Sequence, residues 1–121
     1  MSPAARSILA FGGYLLALGL GLLLAPDAML ALFGQPPSGE PWLRVVGVVV
    51  LILALYYLSA AASGNSAFYR WTTWGRPLAA AILVVLAAAR LAPRFVVLLS
   101  VVDVAGALWT WLALRAECRR P

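Results

Sequence analysis

Asn65-Ser66-Ala67-Phe68-Tyr69-Arg70-Trp71-Thr72-Thr73-Trp74-Gly75-Arg76-Pro77 is the stretch on which the reading of this sequence turns. One reading makes it an interfacial loop, with Tyr69, Trp71 and Trp74 as an aromatic belt and Pro77 opening the next helix. The other makes it helical, with Asn65 or Ser66 as the cap and Pro77 as a kink inside a membrane helix, which neighbouring helices can tolerate. Length discriminates between them. From Pro77 the apolar run ends near Leu91, which is about 22 Å of helix and falls short of a hydrocarbon core of about 30 Å. The expectation is therefore a long, kinked helix from about Ser66 to Leu91.

Three further apolar runs flank it, from about Ser7 to Leu24, from Trp42 to Ala61 and from Arg94 to Leu114, each of spanning length. The first has Arg6 before it and small residues Ala25 and Ala28 after it, as a cleaved signal does, but its apolar run is longer than a signal core. It is read as a retained span. Between the first two spans, Asp27 is placed to cap a short apolar helix and Gly34 to end it, with Met29, Leu32 and Phe33 in the membrane interface or on the bundle rim. Residues 1–121 thus read as a single all-α integral membrane domain, a four-transmembrane-helix bundle with a short interfacial helix after the first span. Gly13, Ala17 and Gly21, with Gly12 and Ala10 nearby, form a small-residue stripe on the first helix, expected to pack against another span, a dimer interface being the alternative.

Composition agrees with lipid as the solvent. The 121 residues are 64% hydrophobic and 11% charged, with a mean hydropathy of +0.98. Nine basic residues stand against four acidic ones, and all nine are arginine, spaced singly between apolar runs. They form no stripe for nucleic acid and read as topology signals. Arg6, Arg70, Arg76, Arg115, Arg119 and Arg120 fall on the side of the termini; Arg44, Arg90 and Arg94 fall opposite, with Asp27 and Glu40. Both termini are therefore expected in the cytoplasm, and the arginine-for-lysine and alanine-leucine bias points to a bacterial inner membrane.

The absence of histidine and the single Cys118 remove histidine-ligated haem, ordinary zinc sites and paired-thiol redox chemistry from within the chain. No metal, cofactor or catalytic residue is expected, and Cys118 reads as a free thiol in a polar tail.

Asp103 is the residue that a merely apolar bundle has no need of. An aspartate near mid-span costs roughly 2.5–3.5 kcal/mol on insertion scales, which the surrounding Leu and Val residues offset without explaining it. Depth selects its partner. Asp103 lies about 18 Å from the inner end of its helix near Arg115, and in the long-helix reading Arg76 lies about 15 Å from its own inner end at Ser66, so an Arg76–Asp103 ion pair is expected. In the loop reading Arg44, from the opposite side, is the poorer alternative. Such a pair is either an orientation lock between two helices or part of a site. Ser100 and Thr110 extend the polarity along the same helix, and Tyr56, Tyr57 and Trp109 are candidates to line an inward cavity.

Leu23-Leu24-Ala25-Pro26-Asp27, Pro41-Trp42-Leu43-Arg44, Phe68-Tyr69-Arg70-Trp71 with Gly75-Arg76, and the Asp103–Leu114 run together resemble a DoxX-like family of small bacterial four-helix membrane proteins. The resemblance implies a left-handed four-helix bundle in the bacterial inner membrane. Some members of that wider group are accessory subunits of membrane oxidoreductases, and it carries over no catalytic residue.

Three functions are compatible with these features. The first is a non-enzymatic accessory or assembly subunit, whose partners are the bilayer and either other membrane subunits or a second copy. The second is a small transporter or lipophilic-ligand binder with Arg76 and Asp103 at an inward cavity; the small multidrug resistance proteins share its size and span count, but their key carboxylate lies in the first helix, which has none here. The third is an enzyme on a lipid, sterol or quinone, for which only Asp103, Tyr56 or Tyr57 could supply an acid or base. The subunit reading leads.

Overall fold

Four apolar runs, each able to cover a hydrocarbon core, leave the backbone no alternative to helix, because in lipid each N–H and C=O must be satisfied within its own segment. The computed structural model describes residues 2–118, and among them it shows five helices: α1 Pro3–Leu24, α2 Pro26–Leu32, α3 Trp42–Ser63, α4 Ser66–Ala88 and α5 Val96–Cys118. The four long ones run 22 or 23 residues, about 33–35 Å at helical rise, and all are long and apolar enough to cross a membrane. Arg119 and Arg120, counted above for topology, lie outside the described residues.

The ends follow local chemistry. Ser2 caps α1 by accepting from the Ala5 N–H at 3.1 Å, and Pro3 follows at the first helical position. Pro26 stops α1 and starts α2, so Ala25 takes the cap position and Asp27 falls in the first turn of α2, where its charge favours the helix dipole but caps nothing. Gly34, at φ 71°, ends α2 as expected. Leu32 stands exposed to lipid, while Phe33 stacks on Phe95 at 5.1 Å and holds α2 against the start of α5.

The disputed stretch is helical. Asn65 Oδ1 accepts from the Phe68 N–H at 3.1 Å, and α4 runs through Pro77 to Ala88. Gly64, at φ 69°, closes α3 immediately before it. The C-terminal end of α4 comes slightly before Leu91, because Arg90 takes the left-handed conformation at φ 61° and turns the chain there.

Packing pairs α1 with α3 and α4 with α5, and α1 also lies along α5; α3 and α4, consecutive in sequence, meet only near their connection, through Tyr69–Ala60 and Tyr57–Phe68. Both termini lie at one end, where the Ala4 N–H donates to Glu117 Oε1 at 3.0 Å. At that end the core is close-packed around Ala4, Ala5, Ile8, Ala60, Ala61 and Tyr69. Tyr69 there donates its hydroxyl to the Ala60 carbonyl at 3.0 Å.

The small residues of α1 that serve this packing are only partly the expected ones. Gly13 faces open space, and Gly21 abuts the Met29 side chain of α2. Gly12 and Gly19 meet α3 instead: a Cβ on Gly19 would stand 2.9 Å from the Leu51 backbone nitrogen, and one on Gly47 would stand 2.7 Å from that of Leu23. The packed face is thus Gly12, Leu15 and Gly19, and at about 100° per residue Gly13 is turned away from it. Gly47→Ala is expected to cost about 1–3 kcal/mol by forcing two backbones apart, whereas Gly13→Ala costs nothing or stabilises slightly. Unfolding of the two variants in detergent micelles checks this contrast.

Candidate functional site

A guanidinium inside a membrane protein must find polar neighbours within the protein, since the hydrocarbon offers none. Arg76, halfway along α4, is 5% exposed. Its Nη2 donates to Thr110 Oγ1 of α5 at 2.7 Å and to Thr72 Oγ1, one turn back on its own helix, at 3.2 Å; Nε donates to the Thr72 carbonyl at 3.3 Å. Thr110 is fully buried and also shares a 2.7 Å hydrogen bond with the Ser7 hydroxyl of α1. One cation therefore connects α1, α4 and α5. Its flat face lies 4.6 Å from the Phe11 ring centroid, with the Tyr57 ring at 5.8 Å, so the apolar neighbours are also attractive ones. Gly106 makes the room, because a Cβ there would stand 2.8 Å from Arg76 Nη1. That Nη1 is buried and has no hydrogen-bond partner.

The ion pair with Asp103 is not formed: the guanidinium spends its bonds on the two threonines. Helix geometry gives the reason. Each Cα–Cβ bond tilts toward its own helix N-terminus, and α4 and α5 run in opposite directions. Arg76 therefore leans toward the terminal end of the bundle and Asp103 toward the α2 end. Equal depth along the helix axes brings the two residues to one cavity but not into contact.

That cavity, about 450 Å³, is lined from all four spans. Phe11 and Tyr14 of α1, Tyr57 of α3, and Phe68 and Trp71 of α4 supply aromatic wall; Arg76, Thr72 and Asp103 supply its polar side. Tyr57 meets the Phe68 ring edge-on at 5.0 Å and Phe11 at 5.2 Å. The space reaches the surface where α3 and α4 diverge, past Leu53, Trp71 and Gly75, all exposed. A spanning protein presents this edge to lipid.

The other expected residues divide. Tyr57 lines the cavity. Thr110 belongs to the hydrogen-bonded core behind it. Ser100 donates to the Val96 carbonyl at 2.9 Å and faces a separate groove between α4 and α5. Trp109 borders a shallow groove between α1 and α5, and Tyr56 points outward. Arg44, the alternative partner for Asp103, instead donates to the Leu23 carbonyl at the C-terminal end of α1. Among the described residues no cluster of side chains could hold a metal ion. Thr72, Ser7, Phe11 and Gly106 went unread in the sequence. Of these only Thr72 carried a signal there, as a hydroxyl four residues before an intramembrane arginine.

Thr110→Val, nearly isosteric, removes the hydroxyl that bonds both Arg76 and Ser7 and is expected to destabilise by about 1.5–3 kcal/mol. Ser100→Ala loses only an intrahelical bond and costs less, a ranking that denaturant unfolding in micelles reads directly. No family model, curated protein or solved structure matches this chain, so the site's reading stands on its own geometry.

Proposed function

We propose that this chain is a binder of a lipophilic small molecule, taken up from the bilayer through the opening between α3 and α4. The observation that carries the reading is the cavity itself: aromatic and aliphatic walls, a guanidinium and a carboxylate on one side, and an entrance on the face that meets lipid. Ligand sites have this composition, predominantly apolar with a few placed polar groups. An accessory or assembly subunit needs a face committed to a partner, and no described feature singles one out; the cavity gives ligand binding an observation of its own. Asp103 and Arg76 serve here to hold a polar head, which needs no chemical step.

The proposal includes a place. It is a multi-pass protein of the bacterial inner membrane with both termini cytoplasmic, supported by the sequence positions of Arg6, Arg70, Arg115, Arg119 and Arg120 on the terminal side against Arg44, Arg90 and Arg94 on the other. Arg76 drops out of that count because it is buried in the bundle. Kinship with the DoxX-like proteins belongs to the same proposal, on the resemblance of motifs and span count alone. A C-terminal green fluorescent protein fusion is expected to fluoresce, and alkaline phosphatase inserted after Pro37 to be active; the reverse pattern refutes the orientation.

Gly75 provides the test of binding. It borders the cavity, and a Cβ there meets nothing within 4 Å, so the side chain of Gly75→Leu starts into open space at the cavity's edge. The variant is expected to fold at least as well as the parent, since a mid-helix glycine costs about 1 kcal/mol relative to alanine. It is also expected to lose the lipophile that copurifies with the parent, as read by mass spectrometry of extracts. Equal ligand in both would refute the site.

A further inference from the structure

The polar side of the cavity also restricts what the ligand's head can be, an inference that rests on the ligand reading above. Arg76 and Asp103 face the same space, and no other charged side chain lines it. One guanidinium and one carboxylate leave the site with no net charge. A head bearing a carboxylate or phosphate would meet Arg76 but stand beside Asp103; an ammonium head would meet Asp103 but stand beside Arg76. In a space of low dielectric, a like charge at such range is costly.

Hydrogen bonding points the same way. Nη1 of Arg76 carries donors with no partner, in a side chain 95% buried. The three bonds that Arg76 makes go to Thr72 and Thr110, which leaves the Asp103 carboxylate as an acceptor without the cation expected to serve it. A head that fills both needs accepts one hydrogen bond and donates another.

The tail has a direction as well. Leu18, Val50, Leu83 and Leu99 line this cavity and also a second, wholly apolar space of about 250 Å³ that continues toward α2, where Met29 and Phe33 close it. Met29 is an adaptable closure, since a thioether side chain refits readily around a guest. We infer that the ligand is a lipophile with an uncharged hydroxyl-type head placed between Arg76 and Asp103 and an apolar tail running under α2.

The test uses the full chain in lipid nanodiscs, photolabelled with a tetradecanol probe that carries a diazirine in its tail. Unlabelled tetradecanol, tetradecanoic acid and tetradecylamine compete at mildly alkaline pH, where the acid is ionised and the amine still charged. Labelling is expected on Met29, Leu83 or Leu99, with the alcohol competing at least about ten-fold more strongly than either charged analogue. Asp103→Asn, isosteric and without the negative charge, is expected to make the acid the best competitor while the unfolding temperature stays near that of the parent. An acid or amine that outcompetes the alcohol in the parent, or a ranking that Asp103→Asn leaves unchanged, overturns the head-group inference. If another lipophile is retained by the parent and lost in Gly75→Leu while tetradecanol never binds, the head-group inference fails and the cavity reading stands. If no lipophile binds and Gly75→Leu changes nothing, both fall.

Discussion

The burial of the Arg76 guanidinium is the constraint that the rest of this structure satisfies. An arginine taken out of water must find fixed partners, and here it finds them on three helices at once, through Thr72, Thr110 and, by way of Thr110, Ser7. A hydroxyl carries a single proton, so Thr110 can accept from Arg76 and still donate once, to Ser7 or to the Gly106 carbonyl 3.1 Å away. The network is directional for that reason, and it sets the rotation of α1, α4 and α5 about their axes. Phe11 covers the face of the cation and Gly106 leaves it space.

α3 stands outside that network. It is held by α1, through the close crossing at Gly19 and Gly47, where two backbones meet with no side chain between them. The two kinds of contact pull in different directions. The polar network draws α4 and α5 toward α1 from one side, the glycine crossing draws α3 to α1 from the other, and α3 and α4 are joined near their connection by Tyr69–Ala60 and Tyr57–Phe68 but stand apart beyond it. Aromatic rings from α1, α3 and α4 border the resulting gap without closing it. The cavity is thus a consequence of how the bundle is assembled, and its polar side is the same residue that assembles it.

The α2 segment completes the arrangement. A helix of seven residues is too short to be stable alone, and it is held by the Phe33–Phe95 stack and by Leu30 and Met29 against the end of the bundle away from the termini. It roofs the apolar extension of the cavity with side chains that can refit. The terminal end, by contrast, is closed by small residues and by the Ala4–Glu117 and Tyr69–Ala60 hydrogen bonds. One end of the molecule is rigidly packed and the other is adaptable.

The sequence by itself determined the four spans, the short helix after Pro26, the helical course of residues 66–77 and the common depth of Arg76 and Asp103. Each follows from quantities local to a segment: apolar length against membrane thickness, cap chemistry at Asn65 or Ser66, and rise per residue. Tertiary structure alone decided which glycines pack, because Gly13 and Gly12 differ only in a rotation of about 100° that is set by the neighbour. It also decided where Arg76 points. Its partners lie on α1 and α5, far away in the chain, and the opposed tilt of Cβ bonds in antiparallel helices carried it to Thr110 and away from Asp103. Ser100 and Thr110 looked alike on one helix, yet one faces a groove and the other sits at the centre of the polar core, because orientation about a helix axis is decided by the helices around it.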